Sequence, residues 1–131
     1  MTTTIRLVIL ATTAVLMTLI GAPRAADIPF VTGGTGADER ADLQAKEKDY
    51  NLKIVAAATS GDYLAGVRVV IESAAKMSVL ETRMDGPILL AKLPPGTYTI
   101  KATHGSSMQT RTVNVPGQGL REAAFRWPVS P

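Results

Sequence analysis

Leu93-Pro94-Pro95-Gly96-Thr97-Tyr98-Thr99-Ile100 reads as a tight turn feeding a half-buried strand. Pro94 and Pro95 fix φ and carry no backbone N–H, so they suit a turn rather than a central ladder. Gly96 supplies the conformational freedom a tight turn demands. Beyond it, Tyr98, Ile100 and Ala102 alternate with Thr97, Thr99 and Lys101. That period of two marks a strand with one buried and one wet face. The turn is read as the centre of the architecture, and Gly96→Val is expected to unfold the domain.

Working outward, the same grammar repeats on both sides. His104-Gly105-Ser106-Ser107 turns the chain into a strand over Met108 to Val115, and Pro116-Gly117-Gln118-Gly119 turns it again. Leu120 to Trp127 closes the domain, with Ala123, Phe125 and Trp127 on one face and Glu122 and Arg126 on the other. Upstream, Ile88 to Ala91 is a brief apolar strand. Asp85-Gly86 before it is a turn dipeptide, although Pro87 argues against a two-residue hairpin. Ser78 to Met84, Val67 to Glu72 and Leu52 to Ala58 supply three more strands, the last two separated by Ser60-Gly61-Asp62. Short strands punctuated by turn signals predict a mainly β fold, a seven-stranded sandwich.

Ahead of the strands, Ala37 to about Asp49 has a helical pattern. Thr35 and Asp38 have capping-box spacing; Asp38 and Glu39 sit in the first turn, and Lys46 and Lys48 near the end. Apolar content is thin, chiefly Ala37, Ala41, Leu43 and Ala45, so a short and mostly solvated helix is expected. Gly33-Gly34-Thr35-Gly36 lacks the Gly-Lys-Ser/Thr ending of a phosphate loop and reads as a hinge.

The first residues read as an address. Arg6 and the apolar run Leu7 to Ile20, followed by Gly21, Ala22, Ala25 and Ala26, form a signal-peptide pattern. The run falls short of the roughly 20 apolar residues that span a bilayer. The organisation expected is a signal peptide over 1–26, an extended lead-in and short helix over 27–50, and the β domain over 51–131. Export would place the mature chain, without a membrane span, in a periplasm or outside the cell.

Charge changes meaning once that leader is set aside. Arg6 and Arg24 are two of the 14 basic residues, whereas all 11 acidic residues begin at Asp27, leaving 12 against 11. With no Lys/Arg run longer than two and few aromatics, a nucleic-acid footprint is absent. There is no cysteine, so no disulfide helps a domain of this size and burial must stabilise it.

Gly66-Val67-Arg68-Val69-Val70-Ile71, Asp85-Gly86, and then Ile88, Leu90, Leu93, Pro95-Gly96 and Tyr98 together resemble the carboxypeptidase regulatory-like domain. The likeness covers about Gly66 to Thr103. It implies a transthyretin-like (prealbumin-like) sandwich of about seven strands. In carboxypeptidases such a domain sits beside a zinc-dependent catalytic domain and performs no chemistry, so the resemblance implies a free-standing accessory module. Pro87 and Ile88 depart from the family pattern, which often has a polar residue and an aromatic there, and the helix lies outside its core.

Catalytic chemistry is sparse. His104 is the one histidine, and with no cysteine this leaves no multi-ligand zinc site and no cysteine nucleophile. Ser106 and Ser107 lie near His104 but not in a nucleophile-elbow pattern. A hydroxyisourate hydrolase on the same fold would require several histidines and a Tyr-Arg-Gly-Ser ending, which Phe125-Arg126-Trp127-Pro128 does not supply. His104 and Met108 have soft-ligand chemistry for Cu(I) if they face each other across the turn, with Met77 and Met84 elsewhere. Glu72, Glu81 and Asp85 show no pattern that would make them converge as glycosidase acids. Trp127 alternates with Phe125, so burial accounts for it better than a sugar-stacking role. No catalytic, cofactor or metal residue is therefore assigned. The reading is a non-enzymatic exported module for protein interaction, its partner another envelope protein; the alternative is a small-ligand or carbohydrate-binding module.

Overall fold

The computed structural model describes residues 28–128. The expected signal peptide over 1–26 lies outside the described residues. Eight strands and one α-helix follow: β1 (Phe30–Gly33), α1 (Ala37–Lys46), β2 (Leu52–Ala58), β3 (Arg68–Ser73), β4 (Ser78–Arg83), β5 (Ile88–Ala91), β6 (Gly96–His104), β7 (Ser107–Val115) and β8 (Arg121–Trp127). They form two four-stranded sheets, ordered β1-β5-β2-β8 and β4-β3-β6-β7. All pairings are antiparallel except β2 with β8, which run parallel from Leu52↔Arg121 to Ala58↔Trp127.

One core fills the space between the sheets. Leu52, Ile54 and Ala56 of β2, Leu89 and Ala91 of β5, and Ala123, Phe125 and Trp127 of β8 face Val69, Ile71, Leu80, Tyr98, Ile100, Ala102, Val113 and Val115. These are the alternate positions of each strand, so period-two patterning selects the inward set. Each large apolar side chain buried there is worth about 1.5–3 kcal/mol.

The eighth strand corrects the expected count of seven. β1 lies where an extended lead-in was read, because four residues ending in glycine carry too short an alternation to stand out. Its partner makes it a strand: Phe30↔Ala91 through Gly33↔Ile88. β5 is thereby enclosed between β1 and β2.

The helix is shorter than its charge pattern implied, ending at Lys46 and continuing as a 3₁₀ turn over Glu47–Asp49. Gly36 is its N-cap with no side-chain cap, so the Thr35–Asp38 spacing does not form a capping box. The helix docks nonetheless. Leu43, its buried residue, packs on Ile88 and Leu90 with Val31 and Tyr50 alongside. This second cluster lies on the opposite face of β5 from Leu89 and Ala91, which explains why all four β5 residues are buried. Lys53 Nζ meets Glu47 Oε1 at 2.6 Å and ties the 3₁₀ turn to β2.

Two polar groups anchor the Leu93–Gly96 turn. Asn51 is the buried polar residue of the described chain: its Oδ1 accepts from Leu93 N at 2.9 Å, and its Nδ2 donates to Leu93 O at 2.6 Å and Pro116 O at 3.2 Å. One side chain thus joins the turn before β6 to the turn after β7. Tyr98 Oη donates to Pro94 O at 2.6 Å, the local arrangement of a tyrosine corner. Burial pushes the Tyr98 phenol above its ordinary value of 10.0.

Gly96 is not the glycine with least room. A methyl there would meet Tyr98 Cε2 at 3.8 Å, an ordinary contact, so crowding at Cβ gives no reason for Gly96→Val to unfold the domain, and what bears on that expectation is the backbone, at φ 158°. At Gly86 a Cβ would stand 2.4 Å from Gly33 O, against backbone that cannot swing aside. Close approach of the β4–β5 loop to the end of β1 requires that glycine.

Candidate functional site

The residues considered for chemistry do not assemble into a reactive centre. β6 and β7 pair His104 with Ser107 and Thr103 with Met108. His104 follows the inward parity of Ile100 and Ala102, and its ring lies 5.9 Å from that of Trp127. Met108 shares the opposite face with Thr103 and is exposed. The pair thus fails to face each other as Cu(I) binding would need, because adjacent strand positions point to opposite faces. Met84 is fully buried, and Met77 is exposed at the far end of β4.

The acids are engaged separately. Glu72 pairs with Lys101 at 2.9 Å, and Glu81 pairs with Arg68. Asp85 uses its backbone N–H to donate to Thr32 Oγ1 at 3.1 Å. No group of three His, Asp or Glu side chains among the described residues is placed to hold a metal. Trp127 is only 1% exposed, stacks on Phe125 at 6.0 Å and donates through Nε1 to Ser107 O at 3.2 Å. It presents no platform to a sugar.

What the fold does leave available is a strand edge. Four strands end the two sheets, and they are finished differently. β7 and β8 face each other and are laced by side chains. Arg111 Nη1 donates to Ala124 O at 2.6 Å, Gln109 donates to Arg126 O, and Arg121 Nε donates to Asn114 O at 3.1 Å. The Arg111 guanidinium also lies over the Phe125 ring at 5.0 Å. These contacts occupy carbonyls that would otherwise invite another strand.

No side chain from another strand reaches the β4 carbonyls among the described residues; the contact there is local and long, Thr82 Oγ1 to Arg83 O at 3.5 Å. Met84, just past its end, donates to Val67 O at 2.8 Å and accepts from Gly66 N at 2.9 Å, so both its backbone groups face the β3 side. Antiparallel alternation then turns the N–H and C=O of Glu81 and Arg83 away from β3. The pairing is regular from Arg68↔Arg83 to Ile71↔Leu80 and slips by one residue before Ser78.

Beside the start of this edge is an apolar recess of about 310 Å³, lined by Ile28, Ser73, Met77, Ser78, Val79, Pro94 and Tyr98. Pro94 and Tyr98 bring the turn that organises the fold into its wall. Met77 stands at the rim, 59% exposed. Phe30 pairs with Ala91 and shares its inward parity, yet is 41% exposed at the β1 edge. The loop before Met77 holds Lys76 at φ 62°, the non-glycine residue with positive φ among the described residues. Left-handed backbone costs a side chain roughly 1–2 kcal/mol. The bonds Lys76 N to Ser73 O at 2.9 Å and Ser73 N to Met77 O at 2.8 Å make Lys76 the left-handed position of a three-residue hairpin loop.

The sequence pattern puts Glu81 on a strand and names Met77 only as a candidate soft ligand; it does not show the edge beside them. No local signal distinguishes an edge strand from an inner one when its alternation is intact. Comparison with known proteins finds no matching family model and no matching curated protein.

Proposed function

We propose that this chain is a non-enzymatic, exported interaction module whose binding element is the β4 edge with its adjoining apolar recess. The observation that carries the reading is the contrast between the laced β7 and β8 edges and the β4 edge, whose outward backbone groups no side chain of another strand meets among the described residues. A partner segment laid along β4 would gain backbone hydrogen bonds from Glu81 and Arg83 and place an apolar side chain over Met77 and Val79. Specificity would come from the recess, affinity from the ladder. The two-sheet architecture with its Leu93–Tyr98 turn favours a prealbumin-like sandwich of the carboxypeptidase regulatory-like kind. The N-terminal apolar run favours delivery to the periplasm or beyond, where another envelope protein is the partner. No helix among the described residues is long and apolar enough to cross a membrane.

The small-ligand alternative has less support. Leu43 closes the helix directly onto Ile88 and Leu90, and the hollow between the 3₁₀ turn and Leu120 holds about 200 Å³. Ligand sites commonly have about 300–1,000 Å³, a range that leaves out this hollow by the helix but takes in the recess beside β4, about 310 Å³, and the hollow at Asn51 and Leu93, about 360 Å³.

Affinity capture from an envelope extract tests the proposal, using wild type beside Arg83→Pro and Thr110→Ala. Proline at position 83 removes a donor that faces away from β3, so the sheet tolerates it while an added strand loses a bond. A partner held by wild type and Thr110→Ala but lost by Arg83→Pro is the expected result. Capture indifferent to Arg83→Pro would overturn it.

A further inference from the structure

We infer that the strand that completes the β4 edge is β4 of a second copy of this chain, paired antiparallel about a two-fold axis at Thr82. This inference rests on the proposal that β4 is a docking edge, and it names the occupant.

The charge pattern of the strand carries the argument. Arg68 and Arg83 lie directly opposite each other across β3 and β4, which places like charges side by side. Glu81 is already engaged by Arg68. Arg83 has no acidic partner within ion-pair distance among the described residues. A two-fold at Thr82 sets each Arg83 opposite the other copy's Glu81, and each Glu81 opposite the other copy's Arg83. Two cross-strand ion pairs form at once, and every Glu81 then lies between two arginines. Shifting the axis to residue 81 or 83 would oppose Glu81 to itself or Arg83 to itself. The pattern Glu81-Thr82-Arg83 therefore selects one register.

Backbone geometry agrees with that register. Glu81 and Arg83 are the residues whose N–H and C=O point outward, as the Met84–Val67 and Met84–Gly66 bonds establish. The cross-copy pairs Glu81↔Arg83 and Arg83↔Glu81 are then the hydrogen-bonded ones, and Thr82↔Thr82 is the close, non-bonded pair between them. The shallow hollow lined by Arg68, Glu81, Thr82 and Arg83 lies on this axis. An isologous contact of this kind closes on itself and joins two four-stranded sheets into one of eight strands. One strand edge is a small interface, so association should be reversible and weakened by salt.

The chain has no cysteine, which makes a single introduced thiol diagnostic. A non-bonded antiparallel pair has Cα atoms about 4.5 Å apart, within disulfide reach. With protein expressed from the full chain, Thr82→Cys should give a covalent dimer under mild oxidation, and Thr110→Cys, on the outer face of β7, should not. Sedimentation equilibrium from low micromolar to near-millimolar concentration should show a monomer–dimer equilibrium. Glu81→Arg or Arg83→Glu alone should weaken it about tenfold or more, since each opposes like charges. The double reversal Glu81→Arg with Arg83→Glu should restore it, because the swapped pair is again complementary.

Circular dichroism melts of each variant keep the reading independent of folding. A native-like monomer at every concentration overturns the inference, as does a dimer indifferent to the single reversals or a well-folded double reversal that fails to recover. If the chain is monomeric yet captures another protein in a manner lost with Arg83→Pro, the second copy is wrong and the docking edge stands. If neither occurs, both fall.

Discussion

The seam between β7 and β8 and the seam between β1 and β4 flank the same core, and their difference separates what stabilises this protein from what it offers to others. Across the first, Arg111, Gln109, Arg121 and Trp127 reach from one sheet to backbone carbonyls of the other strand. Across the second, the described cross-seam bond is Asp85 N to Thr32 Oγ1. The apolar rim there, Phe30 and Met77, remains exposed. Long polar side chains that satisfy edge carbonyls both hold the sheets together and deny the edge to another strand. Where they are missing, the edge is available and the local structure is held by fewer contacts.

The largest test of this contrast is Trp127→Ala on the closed side. Losing a side chain that is fully buried, stacked and hydrogen-bonded should cost about 3–5 kcal/mol in urea unfolding. A cost below about 1 kcal/mol would mean the closed seam is not where stability resides. Next comes Asn51→Ala, at the end of the sheets that both seams share. It strands the Leu93 amide and two carbonyls in a buried site, and about 3 kcal/mol is expected. The thermal midpoint should fall by roughly 4–8 °C for each kcal/mol.

Smaller effects belong to the open side. Tyr98→Phe removes the bond to Pro94 O beneath the recess and should cost about 1 kcal/mol near neutral pH. It should also change the alkaline limb of the stability profile. Because burial holds the folded phenol above 10.0, the folded state keeps its proton where the unfolded state loses it. That contribution is complete below pH 10 and is lost as pH rises through the folded value. Tyr98→Phe should lack that part of the decline, and identical alkaline slopes in the two proteins would contradict the assignment. Smallest of all is Met77→Ser at the rim, expected within about 0.5 kcal/mol of wild type in unfolding while weakening whatever occupies the recess. A large loss of stability would place Met77 in the core and remove the distinction between the seams.

Much of this fold was legible along the chain. The alternations Leu52-Ile54-Ala56, Ile71 with Val69, Tyr98-Ile100-Ala102 and Ala123-Phe125-Trp127 all mark the inward faces observed. Ile88 to Ala91 has the bounds of β5. What went unread has a common cause, partnership with residues distant in sequence. β1 is a strand because β5 lies beside it. Leu43 is buried because Ile88 and Leu90, some 45 positions on, are presented to it. Asn51 resembles any polar residue before a strand until Leu93 and Pro116 arrive around it.

The turn at Leu93 to Gly96 shows the division clearly. Two prolines, a glycine and a period of two determine by themselves that the chain turns and that Tyr98 and Ile100 go inward, since these follow from φ restriction and side-chain alternation. Only the tertiary structure decides that Asn51 clamps the turn, that Gly86 and not Gly96 has no space for a side chain, and that Pro94 borders an open recess. It alone also decides that β4 is an edge. Strand order is set by which hydrophobic faces and ladders can be satisfied together, a condition on the whole chain that no local stretch contains.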